Sequence, residues 1–271
     1  MKKILLAVIF LTVFSSVGAN AQTVFIPQPP VINIPLLDPS RMIIQNEVNR
    51  NTINGATQKG ATKGAKTRSP AAADYTAFKP RQENYMPKVL AQTTKGSPAE
   101  QRQAEQFFNT IIANYEQGSP HHELPKNDVA YAFVHFILVN YEVYYDLYNV
   151  PVEKDPWAKR AKDGFDRLAL MNKKKSLITT TEEDRAMYFQ IKEMLSAKPE
   201  FRKMTDEQKQ KMTETMVIMA GVVNDGYLKA IDAEDERLIK QAHEMAKGNL
   251  EKLLGVPVNK IKINSSGLQL Q

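Results

Sequence analysis

His135 and Glu142 stand seven residues apart in a run that is otherwise almost wholly apolar, so on a helix they share one face. An imidazole and a carboxylate at that spacing could offer two ligands to a metal, and apolar surroundings raise a carboxyl pKa toward that of a general acid. Asn140 lies between them, and polar groups so placed need hydrogen-bond partners. A histidine on a buried helix is more often satisfied by a tyrosine or a backbone carbonyl. We therefore read His135, Asn140 and Glu142 as buried polar residues, with no metal, no cofactor and no assigned catalytic residue. Di-iron bundles need Glu-x-x-His pairs. The residues three before His121, His122, His135 and His243 are Gly118, Ser119, Ala132 and Lys240, which removes that class.

Other constellations are weaker. His121, His122 and Glu123 adjoin in a loop, where neighbouring side chains point different ways and solvent satisfies them. Met212, Met216 and Met219 form a stripe that could attract copper but normally fills a core. No serine lies in a Gly-x-Ser-x-Gly or Ser-x-x-Lys context, and no glycine-rich phosphate loop is present. With no cysteine in the chain, disulfides, Cys-ligated zinc, iron–sulfur clusters and thiol catalysis are all excluded. Tyr141, Tyr144, Tyr145 and Tyr148 gather at the end of one helix. Apolar rings with wettable hydroxyls make them the candidate binding surface for a sugar or a protein.

The elements that must position these residues read as helices. Ser97-Pro98-Ala99-Glu100 is a capping box, and Phe107, Phe108, Ile111, Ile112 and Tyr115 recur behind it until Gly118-Ser119-Pro120. A second helix is expected over 128–148, apolar on nearly every side and therefore central. Asp155-Pro156 starts a third, reaching about Met171, and Thr181 opens a fourth. Thr205-Asp206-Glu207-Gln208 caps a fifth, and Asp232 a sixth that stops at Gly255. Apart from a strand signal at 260–264, this predicts an all-α bundle of about six helices over 97–271.

Ahead of that domain, Lys2 and Lys3 precede an apolar run of about ten residues and a small-residue site at Ala19-Asn20-Ala21. Residues 1–21 read as a secretory signal peptide, too short to span a bilayer. The protein is thus expected to be exported, periplasmic or secreted after cleavage behind Ala21, with no transmembrane anchor. Residues 22–53 form an arm whose prolines alternate with apolar side chains, extended over 22–39 and followed by a short helix. Residues 54–96 read as a flexible basic linker.

The whole chain carries 36 basic and 30 acidic residues, but residues 22–97 hold ten basic and four acidic ones, so the helical part is nearly neutral. A polyanion-binding domain concentrates basic residues on its folded part, and nucleic acid is not an expected partner.

The segments LPKNDVAYAFVHFILVNYEVY (124–144) and LEKLLGVPVNKIKINSSGLQL (250–270) resemble a family of exported bacterial proteins known only as a domain of unknown function. The resemblance covers about 97–270. It implies an exported helical domain and supplies no activity, cofactor or catalytic residue. These readings point to a non-catalytic exported helical module that binds a protein or cell-envelope component through the 22–39 arm or the tyrosine cluster. The alternative is a carboxylate-dependent envelope glycan hydrolase with Glu142 as its acid.

Overall fold

Most of the helices begin on residues whose side chains can replace the missing backbone acceptors, and the computed structural model shows those caps in use. It describes residues 74–94, 96–118 and 124–271. The expected signal peptide, the proline-rich arm, the expected linker up to residue 73 and residues His121, His122 and Glu123 lie outside the described residues.

Among the described residues nine α-helices follow one another: α1 (Met86–Thr93), α2 (Pro98–Gly118), α3 (Val129–Tyr144), α4 (Pro156–Lys159), α5 (Gly164–Lys175), α6 (Thr181–Ser196), α7 (Pro199–Arg202), α8 (Asp206–Asp232) and α9 (Glu236–Leu254). After α9 the chain makes a short 3-10 turn and an antiparallel pair, β1 (Ile261–Asn264) with β2 (Gly267–Leu270), in the register Ile261 to Leu270. This is an all-α architecture with one small hairpin. β2 lies along α6, where Gln190 bonds both the N–H and the C=O of Leu268.

α3 is the axis of the bundle. Val129, Ala130, Ala132, Val134 and Val143 on successive faces are fully enclosed, as expected of a helix apolar all round. It packs chiefly on α8, then on α9 and α6, while α2 packs on α1 and α8. Met212 and Met216 are buried in this core and Met219 packs against it, so the methionine stripe is filler.

Several boundaries differ from the sequence reading. Residues 54–96 were expected to be linker, yet from 74 onward they are structured. Ala77 bridges to Asp128, and α1 buries Met86, Leu90 and Ala91. The expected third helix is two. Arg160 ends α4, and Asp163 starts α5 by accepting from Asp166 N–H while the Asp166 carboxylate accepts from Lys162 N–H. Asp235, not Asp232, caps α9, because Glu234 takes a left-handed conformation (φ 53°) that ends α8 first. α6 opens at Thr181 as read, with Thr180 ahead of it supplying a full capping box. The second helix stops at Tyr144 rather than 148, so Tyr148 is not on it.

Candidate functional site

The stop at Tyr144 is built around one residue. Asp146 has φ 55°, and the turn closes with Asp146 N–H on Val143 O and Leu147 N–H on Glu142 O. This is the Schellman pattern, in which glycine or asparagine usually takes the left-handed position. Here a buried aspartate takes it, and three donors converge on its carboxylate. Tyr227 Oη–H donates to Oδ1 at 2.9 Å, His243 Nε2 lies 2.7 Å from the same oxygen, and Arg160 pairs with Oδ2. Burial first, then the Asp146 charge, drive the Tyr227 phenol well above its ordinary pKa.

The network runs on. The Tyr148 ring lies 5.6 Å from that of Tyr227, and its hydroxyl donates to Glu142. Burial, reinforced by the charge of the buried Asp184, pushes the Glu142 carboxyl up to about 7, and the Tyr148 bond only partly offsets this. Beside it, Lys174 and Asp155 form a buried ion pair at 2.8 Å, and Lys174 also donates to Tyr148 O at 2.9 Å. The Glu142–Tyr148 pair and the Asp146 cluster thus meet where the Tyr148 and Tyr227 rings pack together.

His135 and Glu142, expected on one helix face, are both on α3. His135 packs edge-on to Tyr115, 5.0 Å between ring centres. Asn140 donates to Phe136 O and accepts from Asn249, which ties α3 to α9 and satisfies a fully enclosed amide. Among the described residues no group of three or more His, Cys, Asp and Glu is arranged to hold a metal ion.

The four tyrosines divide. Tyr145 packs tilted against Tyr141 and edge-on against Tyr144, with ring centres 4.7 and 4.8 Å apart, Tyr141 buried and the other two half-buried. Tyr148 belongs to the Tyr227 side. Burial raises Tyr141 to about 12, so its phenol stays neutral.

A separate cleft of about 410 Å3 opens between the 78–84 segment, α2 and α8. Its walls carry Asn84, Asn109, Asn127 and Gln210, with Phe78 and Ile112 beneath, and Lys126 and Glu116 pair at 3.1 Å on its rim. Glu214 anchors it, accepting from the N–H groups of Tyr85 and Met86 at 2.8 Å and from Gln210. Burial nevertheless raises the Glu214 pKa. Glu142 is not among the lining residues.

Sequence reasoning missed Asp146, His243 and Tyr227, which lie up to 97 residues apart, and it missed the cleft, whose walls were partly assigned to linker. The local signal that existed was an acidic residue between two aromatic runs, where a helix must end.

Fold and site together define an all-α domain with a polar cluster around buried Asp146 and a separate amide-lined cleft. The chain belongs to the family of unknown function DUF6683, whose model matches residues 1–159 and 179–271. Neither a curated protein nor a solved structure matches it. Among the described residues no helix is long and apolar enough to cross a membrane.

Proposed function

We propose that this chain is an exported, non-catalytic helical module that binds a protein or cell-envelope component, and that the amide-lined cleft receives it. The observation that carries the reading is the fixed polar wall. Glu214 and Gln210 hold the 81–86 segment through four hydrogen bonds, so the cleft is in place before a ligand arrives. Amide side chains supply paired donors and acceptors that suit peptide groups or sugar hydroxyls, and Phe78 and Ile112 offer an apolar floor. The tyrosines are engaged in ring contacts with one another and with Tyr227, which favours the cleft over them.

The alternative, a glycan hydrolase, draws on Glu142, whose carboxyl at about 7 suits a general acid. Glu142 is not among the residues that line the cleft, which places this reading second.

A photoreactive side chain at Ala113, in the cleft, and another at exposed Lys252 would be activated in the producing cell. The expected result is an adduct from position 113 alone, lost when Asn109→Trp fills the cleft. Adducts at both positions, or none, would count against it. Release of soluble glycan by the wild type, lost in Glu142→Gln, would carry the hydrolase instead.

A further inference from the structure

Residues 160–178 fall between the two stretches that the family model matches, and they hold α5. α5 packs mainly on the neighbouring α4 turn, and Lys174 is its one buried residue. The Lys174–Asp155 ion pair fixes it to the body. The opposite face is bare: Phe165 is 89% exposed and Leu168 61%, with Asn172 on the same side at helical spacing. Lys173 and Lys175 flank this face, and Lys162 is exposed just ahead of the helix. The two acids, Asp163 and Asp166, are engaged in capping the helix.

Charge is divided sharply. Residues 160–178 carry six basic and two acidic residues, whereas the rest of 98–271 carries eighteen basic and twenty-four acidic. An anionic surface would attract this end of the helical domain and repel the rest of 98–271, so it would orient that domain as well as hold it; residues 22–97, with ten basic and four acidic residues, would add to the attraction. A second copy fits less well. Twelve residues of helix are about 18 Å long, and a single face of that length falls far short of the roughly 800 Å2 per partner of a stable interface.

We propose that α5 is a peripheral docking element for an anionic phospholipid surface, with Phe165 and Leu168 entering the headgroup boundary and Lys162, Lys173 and Lys175 meeting the phosphates. The proposal is independent of the cleft and of what the cleft binds.

Vesicle flotation tests it, using the protein as recovered from the cells that make it. The wild type should bind vesicles of equal phosphatidylglycerol and phosphatidylcholine, and bind pure phosphatidylcholine about tenfold more weakly. Phe165→Ser with Leu168→Ser, and separately Lys173→Glu with Lys175→Glu, should each lower partition onto the anionic vesicles by roughly tenfold. Both double variants alter exposed side chains and should melt with the wild type, which separates lost docking from lost folding. Equal flotation of the wild type and the Phe165/Leu168 variant, no flotation of the wild type, or no preference for anionic vesicles would overturn the proposal. So would a wild-type dimer in sedimentation that the Phe165/Leu168 variant dissociates, which would make the face a contact between copies.

Discussion

The carboxylate of Asp146 lies 2.7 Å from Nε2 of His243 across 97 residues of chain, and it does so from a left-handed backbone position that aspartate seldom occupies. The two facts are connected. A non-glycine residue at φ 55° is held there only when its surroundings over-determine it. Here they do so through Tyr227 on α8, His243 on α9 and Arg160 at the end of α4. The end of the central helix is thereby tied to three other elements by one side chain.

Asp146→Asn should cost about 1–3 kcal/mol, because asparagine tolerates the left-handed turn and can still accept from Tyr227 while losing the ion pair. Asp146→Ala should cost about 3–5 kcal/mol, since it adds backbone strain and leaves the Tyr227 hydroxyl unpaired in the interior. Denaturant unfolding of both variants checks the order. Equal costs would mean that the carboxylate network contributes little.

Gly221 on α8 faces Ile111 on α2 so closely that a Cβ at position 221 would sit 2.3 Å from Ile111 Cγ2 and 2.9 Å from Cγ1. These are branch atoms next to the backbone, which rotation cannot clear easily. Gly221→Ala should therefore destabilise by about 1–3 kcal/mol although alanine favours helix by about 1 kcal/mol. In an Ile111→Ala background the same change should become neutral or stabilising. A double-mutant cycle measures the difference, and additivity would show that the helices have room to part.

What was legible in the sequence was local. Ser97 and Thr205 start their helices as read, and Gly255, at φ 72°, closes α9. The apolar run of α3 announced the core axis. What was not legible was decided by partners far along the chain. The helix end at Asp146 depends on residues 81 and 97 positions away. The ordering of 74–94 depends on Asp128, Lys192 and Glu214. The same composition that suggested a linker there supplies the Asp74 and Thr76 groups that meet those partners.

That ordering gives a truncation test. Asp128, fully enclosed, accepts from Thr76 at 2.8 Å, Tyr188 at 3.0 Å and Lys192 at 3.2 Å, and Lys192 also reaches Asp74 at 2.6 Å. Burial alone would lower the Lys192 pKa, but its bonds to Asp74 and Tyr188 and the charge of Asp128 raise it overall. A fragment spanning 74–271 should unfold cooperatively. A fragment spanning 97–271 would expose the surfaces covered by Met86, Leu90 and Ala91 and strip Glu214 of two donors. It should lose several kcal/mol, on the order of 5 or more from three buried apolar residues and an unpaired carboxylate. Equal midpoints in urea would show that 74–96 only lies on the surface.

Glu142 predicts a pH dependence with a definite sign. Its carboxyl titrates at about 7 in the folded protein against an ordinary value of 4.5. The folded state thus holds this proton more tightly than the unfolded chain. Its stabilising effect is full below about pH 4.5 and is lost as pH rises through about 7. Each unit of displacement corresponds to about 1.4 kcal/mol, so a few kcal/mol are at stake, to order of magnitude. Glu142→Gln keeps an acceptor for the Tyr148 hydroxyl and removes the titration. It should flatten the stability profile between pH 4.5 and 7, and at pH 8 the variant should be as stable as the wild type or more so. Urea midpoints at pH 4.5, 6, 7 and 8 read this directly. A variant less stable than the wild type at pH 8 would mean that the ionised carboxylate has a cationic partner, and that burial does not govern its proton.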